Sequence, residues 1–296
     1  MQLQLHRGQL RAVVDTMGGE LISLKDATGT EYIWSGDPAY WSGRNPVLFP
    51  IVGKLLGGTA RANGGVCTMP QHGFGRRSEF TIAEYGEDFV VFSLQENEKT
   101  LAQYPYPFCL SVRHQLSEQG FYTEFEVRNT GTEPLPFCIG AHTAFRCPMH
   151  DGEAFEDYQL IFDQAETAAS LLLTPEGTFD HIHTLPILSE SDAIPLNHEI
   201  FDRRDTLAFD GLHSKGVRLV HKTTGCGVHM EFSDFPMIAF WTMPNVSAPY
   251  LCLEPWHGCG AYDNDSGVFE DKPHCIILQK GENRTLRYTV TLINAE

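Results

Sequence analysis

The chain has 296 residues, of which 42% are hydrophobic and 20% charged; this excludes a disordered polypeptide and leaves enough apolar material for a sizeable core. A formal net charge of −17 argues against a nucleic-acid partner, whose phosphates the whole-molecule field would repel, yet it leaves room for a small anion. The N-terminal "MQLQLHRGQLRAVVD" lacks a signal peptide's apolar stretch and nowhere do 18 apolar residues run together, so a cytoplasmic protein without a membrane partner is expected.

No linker, low-complexity tract or internal repeat divides the sequence, and one domain over residues 1–296 is expected. The dominant period is two. In "LSVRHQL" Leu110, Val112, His114 and Leu116 share one face, in "FYTEFEV" Phe121, Thr123, Phe125 and Val127 do, and "SEQG" between them is a hairpin signal. The polar "DQAETAASLL" could make a short helical turn, and capped amphipathic helices are otherwise missing. In "GVRLVHKTTGCGVHMEF" the turn "KTTG" predicts a second hairpin, and in "CIILQKGENRTLRYTVTLI" the turn "KGEN" predicts a third. Many strands with close turns predict an all-β, antiparallel β-sandwich. The eight cysteines lie in apolar contexts such as "PFCIG" and "YLCLE", which predicts reduced core residues.

Four stretches interrupt this pattern with polar or glycine-rich chemistry. "GRNPVLFPIVGK" brackets an apolar segment with Arg44 and Lys54, and "MPQHGFGR" sets His72 and Arg76 among glycines that permit close backbone approach. "FCIGAHTAFRCP" ends an apolar run at His142, and "YLCLEPWHG" holds Glu254 and Trp256. A strand over 250–254 would place Tyr250, Cys252 and Glu254 on one face. Pro255 cannot donate to a ladder and should end that strand or mark an edge, leaving Glu254 either facing water at a sheet rim or meeting partners from elsewhere. Between Pro38 and Arg77 there are five basic residues, Arg44, Lys54, Arg61, Arg76 and Arg77, and no acidic one. His181 and His183 in "HIH" would share a strand face, but no third ligand stands near in sequence, and no metal is expected.

Together the four stretches resemble the aldose 1-epimerase (mutarotase) family, in the branch carrying "RNP-hydrophobic-FPIVG", "QHGF-x-R", "G-x-H-x-AF" and "EPW" in this order. The likeness runs from "GGELISLKDATGTEYIW" (18–34) to "KGENRTLRYTVTL". It implies a galactose-mutarotase-like sandwich with a pyranose in an open cleft. It also implies Glu254 as general base, His142 as general acid, His72 as a second imidazole at the ring, Arg44 and Arg76 as substrate contacts with Lys54 beside them, and Trp256 as a pocket wall. The family's acidic substrate ligand matches Asp205, with Asp202 close by. Where the wider family often has "HGG", this chain has "HGF".

The expected reaction is interconversion of the anomers of a hexose or hexose phosphate, with no cofactor and a small-molecule sugar or sugar phosphate as partner, in a monomer or homodimer. Opening a cyclic hemiacetal needs one base and one acid, and a carboxylate with an imidazole suits the task. The alternatives are a non-catalytic carbohydrate-binding sandwich and a glycoside hydrolase or lyase, the latter calling for two opposed carboxylates.

Overall fold

In a computed structural model, which describes residues 1–294, the chain is built almost entirely of antiparallel strands around one large sheet. From one edge the sheet runs Val47–Leu48, Ile139–Ala141, Tyr250–His257, Met237–Trp241, Thr206–Asp210, Tyr158–Leu173, Gly216–His221, Gly227–Glu231, Asn283–Ile293, Gly120–Asn129, Phe108–Leu116, Phe89–Gln95 and Thr81–Tyr85. Thr143–Arg146 also pairs with Tyr250–His257, and Phe179–Pro195 with Tyr158–Leu173. A three-stranded sheet of residues 2–25 and two small ribbons complete the sandwich.

The period-two faces are those the alternation predicts. Leu110, Val112, His114 and Leu116 are buried, and they oppose Phe121, Thr123, Phe125 and Val127 across the hairpin, which are buried too. The "KTTG" hairpin also forms, joining Gly216–His221 to Gly227–Glu231. Two expectations fail. "KGEN" joins no hairpin, because Ile276–Leu278 pairs with Leu135–Phe137 while Asn283–Ile293 pairs with Gly227–Glu231 and Gly120–Asn129. "DQAETAASLL" is strand, part of Tyr158–Leu173. Its polar residues fall where the pairing with Phe179–Pro195 shifts register, between Ile161 and Ala169, and long-range pairing there overrides the local preference. Two short helices, Glu98–Gln103 and His198–Arg204, do form, each opened by an asparagine whose side chain accepts from backbone amides of the first turn (Asn97 from Lys99 and Thr100, Asn197 from Ile200).

The strand that matters most runs through its proline. Tyr250–His257 is an interior strand, buried on both faces. Leu251 and Leu253 enter the main core, while Tyr250 and Cys252 pack among Trp34, Trp41 and Trp241. Its neighbour on one side is interrupted at His142, next to the residue facing Pro255, so the missing N–H falls at a break in the ladder. Glu254 is therefore no rim residue; it is 1% exposed. The cysteines are all free, with Cys67, Cys138, Cys147, Cys252 and Cys259 buried and Cys109, Cys226 and Cys275 half-buried.

Candidate active site

Strand register brings the two central groups together. Gly140 pairs with Trp256 and Thr143 with Leu253, a single register on both sides of the break, so His142 stands directly opposite Glu254. His142 Nε2 lies 3.2 Å from Glu254 Oε1, and the indole Nε1 of Trp256 donates to Glu254 Oε2 at 3.2 Å. His142 Nδ1 is buried and has no hydrogen-bond partner among the described residues. The Trp41 ring lies against the imidazole at 4.8 Å between centroids, and Trp241 meets it edge-on at 5.6 Å.

Burial acts on this pair in opposite senses. It raises the Glu254 carboxyl well above the usual carboxylate range, Asp205 adding to the rise and the Arg76 guanidinium and Trp256 indole opposing it. It holds the His142 imidazole well below its usual value, with His72 and Arg76 pushing the same way. Both groups thus favour the neutral form, and the pair holds one proton over a wide range, titrating as a unit.

His72 sits at φ +65°, followed by Gly73 at φ +70°, where a Cβ would come within 2.2 Å of the Phe49 carbonyl oxygen, so only glycine fits. This turn swings His72 against Gly53. The Gly53 amide donates to His72 Nδ1 at 3.1 Å, which leaves the proton of the neutral ring on Nε2. Burial, Arg76 and Lys54 push the His72 pKa down to about 3. The ring is therefore a neutral N–H donor, its Nε2 lying 3.3 Å from the Gln71 side-chain amide.

These groups line a cavity of about 420 Å³, a size suited to a small ligand. Of the residues that the sequence singles out, Glu254, His142, His72, Lys54, Arg76, Asp205 and Trp256 all line it. Lys54 is exposed, its Nζ lying over Gly177, and Arg76 is half-buried; neither makes a salt bridge among the described residues. Asp205, at φ +63°, accepts from the Trp241 indole at 2.7 Å. Its rival Asp202 instead accepts from the Asn245 amide at 2.6 Å and is not among the lining residues.

Arg44 departs from expectation. Its Nε donates to the Ser35 carbonyl at 2.8 Å and its side chain lies against Gly36, outside the cavity lining, because its backbone is tied to Ala144. Arg61 likewise turns to the Ser266 carbonyl, so the basic window is divided, with only Lys54 and Arg76 reaching the cavity. His181 and His183 take separate carboxylates, Asp263 and Asp180.

Sequence reasoning did not single out Trp41, Gln71, Phe179, Trp241 or Met243, which also line the cavity, nor Glu20 behind Arg76. Glu20 accepts from the Asn45 amide at 3.3 Å, and burial pushes its pKa up to about 7 against the pull of Arg76 and Arg44. Trp41 stands three residues before Arg44 in "YWSGR", so its nearness to a motif was the available signal.

The chain as a whole also resembles known proteins. Residues 1–291 match the family model described as aldose 1-epimerase. The LacX proteins of Lactococcus lactis subsp. lactis, plasmid and chromosomal, are 36% identical over 307 aligned positions, covering 99% of this chain and 100% of theirs. A galactose mutarotase related enzyme of Lactobacillus acidophilus superposes with a TM-score of 0.94 at 27% identity, covering 100% of this chain and 98% of its own. A galactose mutarotase-like protein of Lactobacillus casei gives 0.91 at 25%, covering 99% and 100%. With the family model spanning nearly its whole length, and relatives and folds matched end to end, the chain belongs to the aldose 1-epimerase family.

Proposed function

We propose that the protein interconverts the α and β anomers of a hexose, with Glu254 and His142 exchanging protons with the sugar. The observation that carries this reading is the buried, cross-strand Glu254–His142 pair, 3.2 Å apart on the wall of the cavity. With a pyranose in the cavity against the pair, the reactive arrangement of their shared proton is carboxylate and imidazolium. Glu254 takes the proton of the anomeric hydroxyl, the C1–O1 bond becomes a carbonyl, the C1–O5 bond breaks and O5 receives the proton from His142. Rotation about C1–C2 presents the other face of the aldehyde, and the reverse transfers close the ring. Each transfer contributes on the order of 10²–10⁴-fold. The neutral His72 Nε2–H and the Asp205 carboxylate supply a donor and an acceptor to other ring hydroxyls, and the tryptophans give the sugar's C–H face an apolar surface.

The substrate class follows from charge. Lys54 and Arg76 face the cavity without a paired carboxylate, the arrangement a phosphate would complete. A hexose phosphate is accordingly the proposed preferred substrate over the free sugar.

The test is anomer exchange followed by polarimetry and NMR over a panel of aldoses and their 6-phosphates. Acceleration above the buffer rate supports the epimerase; binding without acceleration would replace it with a carbohydrate-binding protein. A higher kcat/KM for glucose 6-phosphate, lost in Lys54→Ala and Arg76→Ala and weakened by salt, supports the phosphate; equal or better turnover of glucose rejects that part alone.

A further inference from the structure

Behind the Glu254–His142 pair stands a thiol that the proton transfers do not use. Cys252 and Glu254 are two residues apart on one strand and so share a face, and His142 faces them from the next strand. One ligand atom from each of the three lies within 4.8 Å of the others, so a point between them is within about 2.8 Å of each (4.8 Å divided by √3). Zinc bonds to sulfur at about 2.3 Å and to imidazole nitrogen or carboxylate oxygen at about 2.0–2.2 Å, so a contraction of under an ångström completes a three-ligand site. His142, 6% exposed, also carries an imidazole nitrogen, Nδ1, with no partner among the described residues, an unspent donor atom in the same buried group.

We propose that Cys252, His142 and Glu254 form an inhibitory site for a borderline-soft divalent cation such as Zn²⁺, its fourth position open to the cavity. The ion enters from the cavity side, where Glu254 and His142 are lining residues, and meets Cys252 at the back, within the aromatic cluster of Trp34, Trp41 and Trp241. On binding, the thiol and the Glu254–His142 pair each lose one proton, two in all passing to solvent through the cavity, and thiolate, carboxylate and neutral imidazole take the metal. The thiolate is what distinguishes this site from any pair of catalytic side chains, because it selects zinc and its neighbours over magnesium or calcium. Occupancy removes both proton-transfer groups at once, so the inhibition rests on the reading of those two residues as catalytic, whereas the binding does not.

The experiment has two arms. In the first, Co²⁺ is titrated into the native protein and its absorption recorded without sugar; a thiolate-to-cobalt charge-transfer band, displaced by Zn²⁺, is expected, and it should vanish in both Cys252→Ala and His142→Asn. In the second, anomerisation is measured against Zn²⁺, with each variant's own zinc-free rate as reference. Reversible inhibition relieved by EDTA is expected, not reproduced by Mg²⁺, with the half-inhibiting zinc concentration at least about tenfold higher in Cys252→Ala. Should Cys252→Ala fail to fold, Cys252→Ser serves in both arms. A native cobalt spectrum without a thiolate band, or equal zinc sensitivity with and without the thiol, overturns the proposal. A cobalt band in a protein that does not accelerate anomerisation would overturn the epimerase reading and leave the metal site standing.

Discussion

Two buried histidines on the same sheet show how similar burial can serve different ends. His114 is 1% exposed; its Nδ1 meets Thr123 Oγ1 at 2.9 Å and its Nε2 meets the Gly19 carbonyl at 2.8 Å, so both nitrogens are partnered. His142 is 6% exposed; one nitrogen faces a carboxyl and the other faces nothing that can bond it. Burial lowers the pKa of both, that of His114 to about 4. The pKa alone does not tell them apart. What separates them is whether the hydrogen-bonding capacity is spent within the fold or kept for a ligand.

The sharpest way to break this contrast is substitution of the pair. Glu254→Gln and His142→Asn should each lower kcat by at least about 10² with little change in the thermal midpoint, measured by NMR exchange and circular dichroism. Either variant retaining near-native turnover would return its residue to a structural role. His114→Ala should do the opposite, costing roughly 1–3 kcal/mol by leaving the Gly19 carbonyl and Thr123 unpaired, while turnover per folded molecule stays native. Calorimetry should see that as a drop of about 1.5–2 °C for each kcal/mol in a chain of this length.

A smaller effect lies in the pH profile. Because the Glu254 pKa is raised and the His142 pKa lowered, the one-proton state of the pair spans neutrality, and kcat/KM should be flat there. It should fall at high pH as the shared proton leaves. Arg76 pulls the Glu254 pKa down, so removing its charge disfavours the carboxylate further and Arg76→Ala should move the alkaline limb to higher pH. A limb that stays put or moves down would sever Arg76 from the pair electrostatically. The smallest expected effect is at Trp41, whose contact with the His142 ring has no counterpart at His114 among the tryptophans. Loss of an aromatic contact worth about 0.5–1.5 kcal/mol predicts a roughly two- to tenfold fall in kcat/KM for Trp41→Leu.

Much of this protein was readable before folding. Alternation by two is a local property, because side chains of a strand point to opposite faces whatever its partner, and so the buried faces of the hairpin over 108–129 could be assigned from the sequence. The four motif stretches likewise named six of the cavity's lining residues, and the family resemblance added Asp205. Tertiary structure decided what depends on partners far away in the chain: that "DQAETAASLL" is strand, that Ile276–Leu278 leaves its neighbour for Leu135–Phe137, and that the strand carrying Glu254 continues through Pro255 because its partner breaks at His142. It also decided that Lys54 and not Arg44 reaches the cavity, since a long cationic side chain goes where its backbone is anchored, and Arg44 is anchored to Ala144. The opposition of His142 and Glu254, 112 positions apart, is a matter of register between strands, which no local pattern encodes.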